Sequence, residues 1–199
     1  MNENDIIVPT NVAYSSCLML NNIEQLKKRY SFLSSGNIGY SVLGKPIPYL
    51  RLGVGAKEVM YAASFHANEW ITSPLLMKFV ENYCREYESN GFLYGYNVRE
   101  IFSNTSIYIV PMLNPDGVDL VTGVIPTNTG IYNQFKDISL NFPNISFPNG
   151  WKANFNGVNF KDFQPFLIVW KKIGFFFNIS VFQQFSPYTK VSFLIPWLN

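Results

Sequence analysis

Apolar residues recur at helical spacing early in the chain. In IEQLKKRYSFL, Ile23, Leu26, Tyr30 and Leu33 fall on one face, which predicts an amphipathic helix opened by Asn21 or Asn22 and stopped by Gly36. The period then shortens. IGYSVLG, PYLRLGV and EVMYAASF are short runs bounded by glycine, proline or charge, and they predict three strands. Pro74 suits the first turn of a helix, and the following residues place Leu75, Phe79, Val80, Tyr83 and Tyr87 on one side. A short helix from Val98 to Phe102 leads into SIYIVPML, an almost unbroken apolar run suited to a strand covered on both faces. Strand, helix, strand is the α/β pattern, here expected as a mixed sheet with helices on both faces. From Thr122 to Gly150, proline, asparagine, glycine and serine recur, and a long surface excursion with one short helical turn is expected.

The last forty residues break this pattern. From Phe160 to Asn199 there are twelve aromatic residues, one acidic residue and one glycine, and no helical or strand period organises them. Net charge shifts with composition, from −1 over residues 1–159 to +3 over the remainder. A boundary at about residue 160 is therefore expected, with 1–160 as one folded unit and 161–199 as a non-native continuation from a shifted reading frame or premature junction. The competing reading of that tail is a genuine segment that binds a partner or a membrane surface.

Composition removes several classes of function. With 48% hydrophobic and 14% charged residues the chain can bury enough surface to fold, which excludes a disordered or coiled-coil class. A net charge of +2 with scattered Lys and Arg gives no footing for nucleic acid. The first residues, MNENDIIVPTNV, lack the positive start and apolar stretch of an export signal, so a cytoplasmic location is expected. The longest apolar stretches are broken by Lys171 and Lys172 and fall short of the roughly 20 residues of a membrane helix, so no membrane span is expected. Cys17 and Cys84 are far apart and read as buried thiols rather than a disulfide.

His66 is the single histidine, and it stands at the end of a predicted strand just before a helix. Ligands of open α/β sheets bind at such strand ends. Glu69, three residues on, lies close enough for an imidazole nitrogen and a carboxylate oxygen to converge on one cation. His-x-x-Glu is weak alone, and a histidine bonded to its own turn beside a glutamate at a helix start explains it as well. Asn68 lies between the two, where it could contact a substrate or serve the helix start.

The wider string SFHANEWITSPLLMKF resembles the strand-end segment of the zinc carboxypeptidase family: His66 and Glu69, followed by Trp70, Ile71 and Thr72. IYIVPMLNPDGVDLVTG resembles the family's next core strand and its Asn-Pro-Asp-Gly segment, here Asn114 to Gly117, which by itself reads as a tight turn. GWKANFNGVNF resembles a third segment through Trp151, Lys152, Gly157 and Val158. SVLGKPIPYLRLG and WKANFNGV resemble the bacterial branch that cleaves γ-D-glutamyl bonds to diaminopimelate in peptidoglycan stem peptides. The resemblance spans roughly residues 20–160. It implies the front part of a zinc-carboxypeptidase-like catalytic domain, incomplete in its C-terminal half, acting on a peptide or stem-peptide substrate. It also implies one Zn2+ held by His66 and Glu69, with Lys152 in the place of a cation that steadies the oxyanion; a solvated surface lysine is the other reading of Lys152.

The pattern then breaks. The family's third ligand is a downstream histidine and its general base a glutamate, yet no histidine follows His66 and no glutamate follows Glu100. Asn159 replaces the aspartate of Gly-Val-Asp, and Phe160-Lys161 replaces Leu-Asn. With its third zinc ligand and base missing, the fragment is expected to be an inactive metallopeptidase. A non-catalytic remnant that binds peptide or a partner through the sheet edge is the alternative.

Overall fold

Ser15, rather than Asn21 or Asn22, starts the first helix. Its hydroxyl accepts the N–H of Leu18 at 3.2 Å, and α1 runs Ser16–Arg29, ending in Lys27, Lys28 and Arg29 where cations favour a helix C-terminus. The computed structural model of the protein describes residues 6–159, so the expected boundary at about 160 and the tail beyond it lie outside the described residues. Three strands follow: β1 (Ser34–Tyr40), β2 (Pro46–Leu52) and β3 (Lys57–Ala62). Gly36 lies inside β1, because the helix has already ended at Tyr30, whose N–H bonds the Leu26 carbonyl.

A 3-10 turn, Ala67–Glu69, leads into α2 (Thr72–Glu88). The small hairpin of β4 (Phe92–Leu93) and β5 (Tyr96–Asn97) precedes α3 (Val98–Asn104) and β6 (Thr105–Val110). The main sheet has the order β1-β2-β6-β3, with β6 antiparallel to β2 and parallel to β3. The βαβ passage from β3 through α2 to β6 supplies the parallel pair. This is the expected mixed α/β fold.

Alternation along β2 sends Leu50 and Leu52 to the face where α1, α2 and α3 pack, together with Ile107 and Ile109 of β6. Met19, Ile23 and Leu26 of α1 and Met77, Val80, Tyr83 and Cys84 of α2 close that core. The buried stripe of α2 is rotated from the predicted one, and Leu75 is 68% exposed. Arg51 and Tyr108, between the core positions, lie on the opposite face, where the guanidinium sits 5.6 Å from the tyrosine ring centre.

Cys84 is buried as expected, and desolvation, then the charges of Glu88 and Glu81, push its thiol up to about 12, so it stays neutral and unreactive. Cys17 is exposed, against expectation, because it sits on the outer side of the first turn of α1. Both thiols are free.

Two segments read as loops are helical. Asn114-Pro-Asp-Gly is the start of α4 (Pro115–Val121), with Asn114 as N-cap accepting the Gly117 N–H and Pro115 in the first turn. The excursion after Thr122 contains α5 (Gly130–Ser139), capped by Thr129. Buried Phe135 of α5 meets the Trp151 ring edge-on at a centroid distance of 6.4 Å, within a second small core that includes Ala67, Leu120 and Ala153. No helix among the described residues is long and apolar enough to cross a membrane.

Candidate metal site

Beyond β3 the chain cannot continue straight. Ser64 adopts φ 50°, and His66 has extended backbone angles before the 3-10 turn begins. The turn brings His66 and Glu69 together: His66 Nδ1 lies 2.9 Å from Glu69 Oε1. His66 is buried while the Glu69 side chain is 51% exposed, so the pair points from the protein interior towards solvent.

The turn is gripped from two sides. On one side, the Ala67 N–H donates to the Lys152 carbonyl at 3.1 Å and the Asn68 N–H to the Trp151 carbonyl at 3.0 Å. On the other side stands the N-terminus of α4. A Cβ built on Gly117 would lie 2.7 Å from the Ala67 Cβ and 2.7 Å from the Ala153 carbonyl oxygen, so only glycine lets the helix approach this closely. The Asn114 side chain joins the two sides, since its amide donates to the carbonyls of Lys152 at 3.3 Å and Ala153 at 3.1 Å. Strand β3 is tied in too, through the Leu113 and Asn114 N–H groups bonded to the carbonyls of Ala63 and Ser64.

Lys152 therefore meets the turn through its carbonyl, and its side chain is exposed. Asn68 is half-buried, with its side-chain oxygen enclosed and unpartnered among the described residues. The sequence reading singled out the two side chains that meet, His66 and Glu69, but not the supports, Asn114, Gly117 and the 151–153 backbone. A signal for the first two was available, because Asn followed by Pro is a helix start as well as a turn.

Residues 19–164 match the zinc carboxypeptidase family. The chain belongs to the zinc carboxypeptidase family. It is 41% identical over 152 residues to gamma-D-glutamyl-L-diamino acid endopeptidase 1 of Lysinibacillus sphaericus, a match covering 76% of this chain and 38% of that protein. It is 37% identical over 148 residues to the uncharacterized protein YqgT of Bacillus subtilis strain 168, covering 73% of this chain and 39% of the relative. The chain thus spans under two-fifths of the length of these relatives. Among solved structures, thrombin-activatable fibrinolysis inhibitor aligns with TM-score 0.53 and 19% identity over 76% of this chain and 34% of its own. A metallo-carboxypeptidase from Burkholderia cenocepacia aligns with TM-score 0.50 and 19% identity, over 73% of this chain and 31% of its own. These structural likenesses show a shared fold.

The zinc implied by the family fits the donor pair. An imidazole nitrogen and a carboxylate oxygen are donors that zinc takes, and His66 Nδ1 and Glu69 Oε1 converge at 2.9 Å, so these two groups would hold the ion. His66 Nε2 is buried without a partner among the described residues, which leaves the imidazole held through Nδ1 and the packing around it. Among the described residues no group of three or more His, Cys, Asp or Glu side chains could hold a metal, and the candidate donors at the turn are His66 and Glu69.

Proposed function

We propose that the chain carries the zinc-binding turn of a metallopeptidase for γ-D-glutamyl-diaminopimelate bonds of peptidoglycan stem peptides, with His66 and Glu69 as two protein ligands. The observation that carries this reading is the 2.9 Å convergence of an imidazole and a carboxylate on a turn fixed from both sides. The substrate class rests on the 41% identity to a relative whose name specifies γ-D-glutamyl-diamino acid bonds. Zinc at such a site polarises the scissile carbonyl and activates water.

The resemblance to the family supports the following roles for the protein groups. His66 and Glu69 hold the ion, Asn68 sits between them at the rim, and Lys152, exposed on the adjoining segment, supplies a cation for the developing oxyanion. With no histidine after His66 and no glutamate after Glu100, the 199-residue chain has no third imidazole for the metal and no glutamate base for its water. In this reading the 199 residues bind zinc and peptide, and turnover requires an imidazole and a carboxylate base that they do not contain.

Cobalt-loaded chain tests this directly. The stem tripeptide L-Ala-γ-D-Glu-meso-diaminopimelate is expected to perturb the cobalt spectrum at roughly tenfold lower concentration than its α-linked isomer, because unpaired polar groups penalise the wrong linkage. Mass spectrometry should show no release of diaminopimelate. Equal responses to the two peptides would remove the substrate assignment, and release of diaminopimelate would show a complete catalytic site.

A further inference from the structure

A buried charge cluster lies on α4, the helix that packs against the His66–Glu69 turn. Asp116 and Asp119, one helical turn apart, are both buried, and the Lys45 ammonium reaches between them, 3.5 Å from Asp116 Oδ1 and 2.7 Å from Asp119 Oδ2. Asp116 also accepts the Ser41 hydroxyl at 2.8 Å and the Leu43 N–H at 3.0 Å, both from the turn between β1 and β2. Asp119 accepts the N–H and hydroxyl of Ser16, at the start of α1, at 2.8 and 2.5 Å. Two carboxylates and one ammonium thus bind two chain segments, the β1–β2 turn and the start of α1, to a helix of seven residues.

That helix alone has little stability, because a single hydrogen-bonded turn hardly offsets the cost of nucleation. Its position is set from outside. Gly117 lies between Asp116 and Asp119 in sequence, yet it faces Ala67 so closely that an added Cβ would lie 2.7 Å from the Ala67 Cβ. Rotation of α4 would either drive the helix into the turn or release it. Lys45 is the cation holding both aspartates, and its removal leaves two desolvated carboxylates without a counter-charge in this cluster.

We propose that Lys45 is a positioning residue for the His66–Glu69 turn: by bridging Asp116 and Asp119 it fixes α4 in the orientation that docks Gly117 against Ala67. The geometric part stands on the packing alone, and its consequence for zinc rests on the function proposed above.

Hydrogen exchange on the metal-free full chain tests the geometric part. In Lys45→Met, the Ala67 and Asn68 amides, which bond the Lys152 and Trp151 carbonyls, are expected to exchange roughly tenfold faster while β6 amides keep their rates. Lys45→Arg should restore protection at both amides. Glu81→Gln is the control: Glu81 is a buried residue of α2 that accepts the Ile7 N–H at 2.7 Å, and its change should leave the turn unaffected. If Lys45→Met does not fold, Asp119→Asn, which keeps the shape and loses one charge, should accelerate the same amides by roughly threefold. Unchanged rates at Ala67 and Asn68, or an equal acceleration in β6, would overturn the proposal. Zinc titration of the same proteins gives a separate readout: affinity should fall about tenfold in Lys45→Met and recover in Lys45→Arg. Failure of the unaltered chain to bind zinc would remove the metal reading and leave the exchange result to decide the role of Lys45.

Discussion

Replacing His66 by alanine is expected to lower zinc affinity by on the order of a hundredfold, with the fold intact. A two-ligand site has no redundancy. Structural zinc sites use four protein ligands and catalytic ones three, so loss of the imidazole leaves a single half-exposed carboxylate and water. Glu69→Gln should cost less, roughly tenfold, because an amide oxygen still reaches the ion but carries no charge. The folding cost should be small, since the one side-chain hydrogen bond of His66 among the described residues goes to Glu69, which is half in solvent. Circular dichroism and a urea midpoint near that of the unaltered chain, combined with calorimetric zinc titration, would check this. Affinity unchanged in His66→Ala would place the metal elsewhere.

Gly117→Ala is expected to destabilise the chain by about 1–3 kcal/mol. On an exposed helix the same change would stabilise by about 1 kcal/mol, since alanine is the better helix former. Packing reverses the sign. The added methyl would lie 2.7 Å from a carbonyl oxygen of Ala153 and 2.7 Å from the Ala67 Cβ, and neither is the far end of a flexible side chain. Either α4 moves outward, against the hydrogen bonds from Asn114 to Lys152 and Ala153, or the turn moves and separates His66 from Glu69. Urea denaturation should show a lower midpoint with an unchanged slope, and zinc affinity should fall in parallel. A midpoint raised above that of the unaltered chain would mean that α4 does not abut the turn.

The parts of the protein legible in its sequence are those encoded locally. His66 and Glu69 are three residues apart, so a single turn brings them together whatever the remainder of the chain does. The strands and α2 were visible because their apolar positions follow one period over a short stretch. Lys45, Asp116 and Asp119 were not, because the interaction joins residues more than seventy positions apart, and nothing in either segment names its partner. The order β1-β2-β6-β3 is non-local in the same way. Other features were present but outweighed. Thr129 followed by Tyr132, Phe135 and Ile138 has a cap and a helical period, yet the surrounding prolines and asparagines read as loop. Asn114-Pro115 reads as a turn in the sequence, and it starts a helix in the fold, where its N-cap also satisfies the 151–153 backbone.

The supports explain how a short turn can present two ligands with definite geometry. Backbone bonds from Ala67 and Asn68 and the close approach of α4 to Ala67 bear on two consecutive residues, and the edge-on contact of Phe135 braces Trp151, whose carbonyl accepts one of those bonds. Such a preorganised pair loses little freedom when an ion enters.

X-ray absorption at the zinc edge of the loaded chain tests the central claim most directly. The account predicts a first shell of nitrogen and oxygen at about 2.0–2.2 Å, with the outer-shell scattering of one imidazole from His66. Sulfur at about 2.3 Å, from Cys17 or Cys84, or a spectrum without imidazole scattering, would contradict it.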